Sequence, residues 1–272
     1  MDLTQPDVLL ALLQRHGLKP TKKWGQHFLI SSKVVDAILL EARGAAGILE
    51  VGPGPGVLTR SLSEGATVIA YEIDPIAVSA LSESAPRAEV RFEDALRADL
   101  AVPLSELPEP RMIVSNMPYN ITGPLLTAFA NRRKSVTKMV LMMQLEVGKR
   151  ILARPGQREC GSLSIFLQSQ FEISKVIDAP SGAFYPPPNV QSVVLRFVPR
   201  DLDLDPAAES SFFKLIRAAF GQPRKTLLNN LSGYATRAEL ETMLRQLELS
   251  PGIRPHQITM DQWRAIHRSL RA

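Results

Sequence analysis

The residues best suited to chemistry lie in the run Ser115-Asn-Met-Pro-Tyr-Asn120, directly after an apolar stretch that is typical of a strand. An amide oxygen, a backbone carbonyl beside a proline and an aromatic ring can together receive a planar amine. Asn116 and a carbonyl next to Pro118 would accept hydrogen bonds from the amine, and Tyr119 would stack on its ring. Asn and Pro are also common in turns. The position favours the chemical interpretation, because strand C-termini line the ligand crevice of an open parallel sheet.

A glycine-rich loop follows an earlier apolar strand, in the run Ile48-Leu-Glu-Val-Gly-Pro-Gly-Pro-Gly56. Glycine lacks a Cβ, so the backbone at Gly52 can turn sharply and let a ligand approach the peptide plane. The same loop could serve only as a tight strand–helix turn. The dinucleotide-binding fingerprint places its third glycine one position later, where Val57 stands, so phosphate binding is disfavoured.

Two carboxylates follow the next two predicted strands. Glu72 comes twenty residues after Gly52 and is placed to accept hydrogen bonds from two ribose hydroxyls. Asp94 follows the third strand, where it could accept a bond from an adenine amino group. Taken singly, either residue could be a solvated or helix-capping carboxylate. Together with the glycine loop they predict a nucleoside cofactor without a pyrophosphate, and S-adenosylmethionine fits this pattern better than a nicotinamide dinucleotide.

The elements that carry these residues alternate between strand and helix from about residue 33 to 198. Such alternation predicts an α/β fold with a parallel sheet and helices on both faces. The runs 170–177 and 190–198 have no long helix between them and predict an antiparallel hairpin at the sheet edge. An acidic, proline-containing linker follows, and only helical periodicity appears after it. We therefore expect a boundary near residue 200, with domains over 1–200 and 201–272. The predicted C-terminal helices are Phe212–Phe220, Arg224–Leu231, Arg237–Leu247 and Met260–Leu270.

Composition excludes several classes of protein. The chain has 272 residues, 45% of them hydrophobic and 22% charged, which is ordinary for a globular protein. A lone cysteine, Cys160, cannot form an internal disulfide, and the four histidines lack metal-ligand spacing, so no metal site is expected. No apolar run approaches the ~18 residues of a membrane span, and no signal-peptide pattern is present. No membrane association and a cytoplasmic location are expected.

Charge is unevenly distributed along the chain. The net charge is +5, but residues 132–158 carry eight Lys or Arg against Glu146 alone, and the preceding hundred residues are acidic. A concentrated basic block favours a polyanionic partner, because each neutralised phosphate releases condensed counterions. The block and the N-terminal Lys19, Lys22 and Lys23 are candidates to hold RNA phosphates. Part of the block could equally be a solvated helix face.

Several motifs together carry a resemblance to a known family. The Asn116–Tyr119 run resembles the N-x-P-Y motif of amino-methyltransferases. The segment Gly25-Gln-His-Phe-Leu29 is similar to G-Q-N-F-L, with His27 in place of the usual Asn. Phe184–Ser192 resembles F-x-P-x-P-x-V-x-S, and Phe220–Leu231 resembles F-x-Q-R-R-K-T-L-x-N-N-L. Over nearly its full length the chain resembles the KsgA-type small-subunit (16S) rRNA adenine N6,N6-dimethyltransferases.

This resemblance implies a fold and an activity. The fold would be a Rossmann-like class I methyltransferase sheet with a small all-helical C-terminal domain. The activity would be transfer of methyl groups from S-adenosylmethionine to the N6 amines of adjacent adenines near the 3′ end of small-subunit rRNA, during ribosome assembly, by a monomer. Phe184 would sandwich the flipped base against Tyr119. The implied base-binding residues are Asn116, Pro118, Tyr119 and Phe184, and the implied cofactor-binding residues are His27, Leu29, Gly52, Glu72, Asp94 and Asn116.

Three alternative functions stay open at this point. A large-subunit rRNA adenine methyltransferase of the macrolide-resistance type shares the glycine loop and N-x-P-Y, but the three-proline run and Arg224–Leu231 favour the small-subunit enzyme. A non-catalytic RNA-binding assembly factor could keep the fold, although such a protein would have no use for the complete set of site residues. A nicotinamide-dependent dehydrogenase is disfavoured by Val57.

Overall fold

The structure of the protein is a computed structural model that describes residues 1–21, 25–202 and 204–271. It divides the chain into two compact units. The first comprises Met1–Gly148 and Glu172–Pro199, and the second comprises Lys149–Phe171 and Arg200–Ala272. The predicted domain boundary near residue 200 coincides with one of the points at which the chain passes from one unit to the other.

The described residues form helices and strands in strict alternation over much of the first unit. The α-helices are α1 (Pro6–His16), α2 (Ser32–Ala42), α3 (Val57–Gly65), α4 (Pro75–Ser84), α5 (Ala101–Glu106), α6 (Thr122–Ala130), α7 (Leu145–Leu152), α8 (Ser162–Gln170), α9 (Pro206–Ala219), α10 (Leu227–Asn230), α11 (Arg237–Gln246) and α12 (Met260–Arg271). The strands are β1 (Phe28–Leu29), β2 (Gly47–Val51), β3 (Thr67–Glu72), β4 (Glu89–Phe92), β5 (Arg111–Asn116), β6 (Lys138–Gln144), β7 (Phe171–Ala179), β8 (Phe184–Tyr185) and β9 (Ser192–Pro199).

The first unit is built on a seven-stranded sheet with the order β4-β3-β2-β5-β6-β9-β7. The strands from β4 to β6 pair in parallel, and β9 runs antiparallel to β6. All five residues of β2 are buried, as expected for a central strand covered by helices on both faces. The predicted α/β fold with a Rossmann-like sheet is therefore confirmed.

The strand order reverses between β2 and β5, which are neighbours in the sheet although two helix-linked strands separate them in sequence. Ligands of open α/β sheets bind outside the strand C-termini at such a switch point. The glycine loop follows β2, and the Asn116 run follows β5. Topology therefore brings these two distant sequence motifs to one crevice.

A second, two-stranded sheet was not predicted. Strands β1 and β8 pair antiparallel, with Phe28 opposite Tyr185 and Leu29 opposite Phe184. Strands of two residues have no period to recognise, so the sequence gives no sign of them. The ladder attaches the segment before α2 to the three-proline run that follows β8.

The second unit has its own hydrophobic core, centred on the buried Trp263, Phe212 and Ile266. Ala153, Cys160 and Ile165 belong to the same cluster, which is why residues 149–171 fall in this unit. Helix α10 has only four residues, shorter than the predicted 224–231, because the Thr226 side chain caps it by accepting from the Asn229 amide. No helix among the described residues is long and apolar enough to cross a membrane.

Candidate functional site

A cavity of about 220 Å³ lies at the C-terminal edge of the sheet in the first unit. The ends of β2, β3 and β5, the loop after β4 and the segment 25–29 line it. Eight residues predicted for the site meet here, namely His27, Leu29, Gly52, Glu72, Asp94, Asn116, Pro118 and Tyr119. Of the predicted N-terminal phosphate contacts, Lys22 and Lys23 lie outside the described residues.

The glycine loop and the Asn116 run approach each other closely at Gly52 and Pro118. Gly52 has a φ of 70°, and a Cβ on this residue would lie 3.2 Å from Cγ of Pro118. Any other residue would meet both backbone strain and a crowded neighbour there. Pro118 itself closes a turn, since its carbonyl accepts hydrogen bonds from the Ile121 amide and the Thr122 hydroxyl. We therefore assign Pro118 a shaping contact with the loop.

The Glu72 carboxylate holds the glycine loop in place. It accepts hydrogen bonds from three backbone amides, those of Gly54 at 3.0 Å, Ile73 at 2.8 Å and Asp74 at 2.9 Å. Burial raises the pKa of Glu72 above its usual value, and the three amide bonds oppose that change. A carboxylate has about four acceptor sites, so about one remains for a ligand. A contact with two ribose hydroxyls stays a prediction.

Glu72→Ala is expected to weaken S-adenosylmethionine binding by ~1–3 kcal/mol, because it removes charge-assisted bonds that shape the loop. Calorimetric titration with the cofactor would measure this change, and RNA binding should be kept. Glu93→Ala is the matched control, since Glu93 lines the same cavity but is exposed. Equal cofactor affinity in Glu72→Ala and Glu93→Ala would contradict the assignment.

Asp94 combines a local role with a place in the cavity. Its Oδ1 accepts from the Leu96 amide at 2.9 Å, and its Oδ2 lies 3.5 Å from Nε of Arg97. The carboxylate thus shapes the turn after β4 while lining the cavity. An interaction with an adenine amino group stays a prediction.

Asn116 ends β5 with its amide group held in one orientation. Its Nδ2 lies 3.2 Å from the backbone oxygen of His27 and donates to it. A carbonyl oxygen can only accept, so the amide nitrogen must face His27. The amide oxygen Oδ1 is then the atom left to accept a hydrogen bond from a ligand.

The Tyr119 ring is fixed by two contacts. Its hydroxyl lies 2.5 Å from Oγ of Ser192, and its ring stacks near that of His27, with centroids 5.7 Å apart. The Nδ1 of His27 donates to the Pro186 carbonyl at 2.7 Å. Burial raises the pKa of Tyr119, which keeps the hydroxyl protonated. Sequence reasoning missed Ser192, although the serine ends the F-x-P-x-P-x-V-x-S pattern.

Phe184 does not line the cavity. Its side chain is 2% exposed and packs in the core of the first unit, while its Cα lies opposite Leu29 in the β1–β8 ladder. A role of Phe184 on a bound base stays a prediction.

Glu50 lines the cavity and was missed by sequence reasoning. It lies in the apolar strand β2, is 1% exposed, and its Oε2 has no hydrogen-bond partner in the described part of the chain. Burial, together with the nearby negative charge of Glu72, raises the pKa of Glu50 to about 8. An acidic residue at a buried strand position is the sequence signal that could have revealed it.

The donor and acceptor groups of the cavity fit S-adenosylmethionine. No Lys or Arg occurs among its described lining residues, which disfavours a pyrophosphate. The loop that would face the ligand is tightly packed, because a Cβ on Gly54 would lie 3.1 Å from the Phe28 ring. Carboxylates able to accept hydrogen bonds from a nucleoside come from Glu72 and Asp94. The described residues hold no cluster of three or more metal-ligating side chains.

Comparison with known proteins agrees with this site. The family model described as ribosomal RNA adenine dimethylase matches residues 17–271. The chain is 34% identical to ribosomal RNA small subunit methyltransferase A of Geobacillus sp. (strain WCH70), covering 99% of this chain and 98% of that protein. It is 35% identical to the protein of the same name from Bacillus mycoides (strain KBAB4), covering 99% and 97%.

Solved structures show the same fold. A dimethyladenosine transferase from Plasmodium falciparum superposes with a TM-score of 0.74 at 24% identity, covering 88% of this chain and 96% of that chain. The 23S rRNA methyltransferase ErmE superposes with a TM-score of 0.69 at 26% identity, covering 90% and 100%. From the match of the family model over nearly the whole chain and the full-length similarity to these relatives, we conclude that the chain belongs to the ribosomal RNA adenine dimethylase family.

Proposed function

We propose that this protein transfers methyl groups from S-adenosylmethionine to the N6 amines of adjacent adenines near the 3′ end of small-subunit rRNA, on the assembling particle. The observation that carries the proposal is the orientation of the Asn116 amide. Its nitrogen is committed to the His27 carbonyl, so its oxygen can accept from an exocyclic amine. The position of Asn116 at the switch point, beside the glycine loop, supports methyl transfer as the reaction.

The chain's own residues supply alignment. When bound, S-adenosylmethionine supplies an electrophilic methyl group on a sulfonium, so no protein nucleophile is needed. Asn116 holds the amine so that its lone pair is free, and orientation of this kind can be worth ~7–11 kcal/mol. Tyr119 offers a stacking surface, which offsets the few kcal/mol that it costs a base to leave its stack.

The test is incubation of the protein with labelled S-adenosylmethionine and unmethylated small-subunit particles, followed by mapping of the modified nucleotides. Label on adjacent adenines of the small-subunit rRNA is the expected result. In a parallel reaction with unmethylated large-subunit RNA, label there and none on the small-subunit particles would favour the alternative that the relation to ErmE raises. Particle binding without methyl transfer would favour a non-catalytic assembly factor.

The basic block of residues 132–158 divides between buried or paired cations and free ones. Arg133 is buried, Arg132 pairs with Asp99 at 2.5 Å, and Lys138 pairs with Glu41 at 3.3 Å. Four cations of the second unit are exposed and have no ion pair within the described residues. These are Lys149, Arg150, Arg154 and Arg158. They are better candidates for RNA phosphates than Arg132, Arg133 and Lys138.

Replacing Arg154 and Arg158 by Gln is expected to flatten the salt dependence of RNA binding by up to ~0.7–0.9 log units for each phosphate that the variant no longer neutralises. Binding at a series of salt concentrations would measure the slope. Arg132→Gln combined with Lys138→Gln removes two charges that already have acidic partners, so it should leave the slope unchanged. Equal slopes in both double variants would assign Arg154 and Arg158 to a solvated face.

The proposed substrate bears on the location of the protein in the cell and on its oligomeric state. We propose that the protein acts in the cytoplasm, where small subunits assemble, and that it works as a monomer.

A further inference from the structure

Glu50 is a buried acid that the proposed chemistry does not use. It lies in the central strand β2, flanked by Ala70 of β3 and Val114 of β5. The residue is 1% exposed, lines the cavity, and has an Oε2 without a partner among the described residues. A buried carboxyl oxygen without a partner is costly, so it calls for an explanation.

The groups around Glu50 cannot balance a negative charge. Glu72 of β3 adds a second negative charge, and Thr59 of α3 lowers the pKa of Glu50 through its hydroxyl but carries no positive charge. The other ionisable residues that line the cavity are His27, Tyr71, Glu93, Asp94 and Tyr119, none of them a Lys or Arg. An acid that is both desolvated and close to another carboxylate keeps its proton, consistent with the raised pKa of Glu50.

We propose that Glu50 is a neutral acid in the cofactor-free protein and gives up its proton when S-adenosylmethionine binds, so that cofactor binding is coupled to proton release. In this step the carboxyl O–H bond breaks, its electron pair stays on the oxygen, and the proton passes to the buffer. The resulting carboxylate offsets the positive charge that the cofactor brings into the cavity. The inference rests on the proposed function for the identity of the ligand.

Calorimetric titration at pH 7 in buffers of different ionisation enthalpy measures the protons released. With a pKa of about 8, nearly all Glu50 side chains hold a proton at pH 7, so we expect wild type to release close to one proton more than Glu50→Gln. Glu93→Gln, which alters an exposed acid of the same cavity, should release as many protons as wild type. Equal release by wild type and Glu50→Gln would overturn the proposal.

The pH dependence of affinity gives a second readout with a defined sign. Because binding releases a proton, the wild-type affinity should rise with pH relative to Glu50→Gln, by up to about tenfold per pH unit, and level off above pH 8. S-adenosylhomocysteine lacks the sulfonium charge. If the sulfonium is the partner of Glu50, binding of this ligand should release fewer protons than binding of S-adenosylmethionine. Equal release would mean that the ammonium group of the cofactor is the partner of Glu50.

Failure of this inference can be distinguished from failure of the proposed function. If wild type does not bind S-adenosylmethionine, both fail. If wild type binds it without release of a proton from Glu50, only the inference fails. Glu50→Asp keeps the carboxyl and should retain proton release, so it tests the proposal even if Glu50→Gln does not fold.

Discussion

Asn116→Ala is expected to slow the methyl-transfer step by about a hundredfold to a thousandfold, the largest effect of any single change in the site. The substitution removes the acceptor oxygen that would hold the target amine. It also removes the hydrogen bond of 3.2 Å that ties the end of β5 to the His27 carbonyl. Single-turnover methylation of unmethylated small-subunit particles at saturating cofactor would measure the chemical step apart from binding.

A second variant tests the hydrogen bond to His27 apart from the acceptor oxygen. Asn116→Asp keeps an acceptor oxygen but places a second oxygen against the His27 carbonyl, where a donor is required. Its rate should therefore also fall, because the side chain can no longer be held in the productive orientation. A rate for Asn116→Ala within a few-fold of wild type would mean that Asn116 does not align the amine.

Tyr119→Ala is expected to lower single-turnover methylation by roughly tenfold to a hundredfold, through loss of a base–aromatic stack worth ~1–3 kcal/mol. Tyr119→Phe keeps the ring and removes only the hydrogen bond to Ser192. Most of the activity should remain in Tyr119→Phe, because stacking is the proposed role of the ring. Comparison of both variants under the same single-turnover conditions decides between ring and hydroxyl.

Ser192→Ala is the natural control for the hydroxyl, because it removes the other half of the same bond. Tyr119→Phe, Ser192→Ala and the double variant should therefore share one rate, since a bond can be broken only once. If Tyr119→Phe is as slow as Tyr119→Ala while Ser192→Ala is unaffected, the hydroxyl has a chemical part and the stacking role is wrong.

The sequence predicted those parts of the site that follow from topology. In an open parallel sheet the strand ends converge, so residues such as Gly52, Glu72 and Asn116 could be placed together from their positions after apolar strands. The structure places them around one cavity. Helix α4 could likewise be predicted from the pair Asp74-Pro75 at its start, because Pro is favoured at the first helical position. In the structure the Asp74 side chain caps this helix by accepting a hydrogen bond from the Ile76 amide.

The parts that could not be predicted depend on long-range pairing or on burial. Phe184 stands in a motif that suggests a ligand contact, but its ring is buried in the core of the first unit, which the motif does not show. Glu50 follows two apolar residues in a strand, and no periodicity shows that its side chain points toward a cavity. For the basic block, the sequence suggests more cations available to RNA than the structure exposes, because charge along the sequence does not show that Arg133 is buried.

The β1–β8 ladder has a consequence for how the protein gains its activity during synthesis. The hydrogen bond from His27 to Pro186 spans 159 residues, and that from Tyr119 to Ser192 spans 73. Contacts of such high sequence separation form late, because a long loop must close, at a cost in entropy, before these contacts can stabilise the fold. A nascent chain that has emerged only as far as β6 has the sheet centre but lacks the partners that fix His27 and Tyr119. We therefore expect competence for catalysis only after β9 has been translated, because Ser192, the partner of Tyr119, begins that strand.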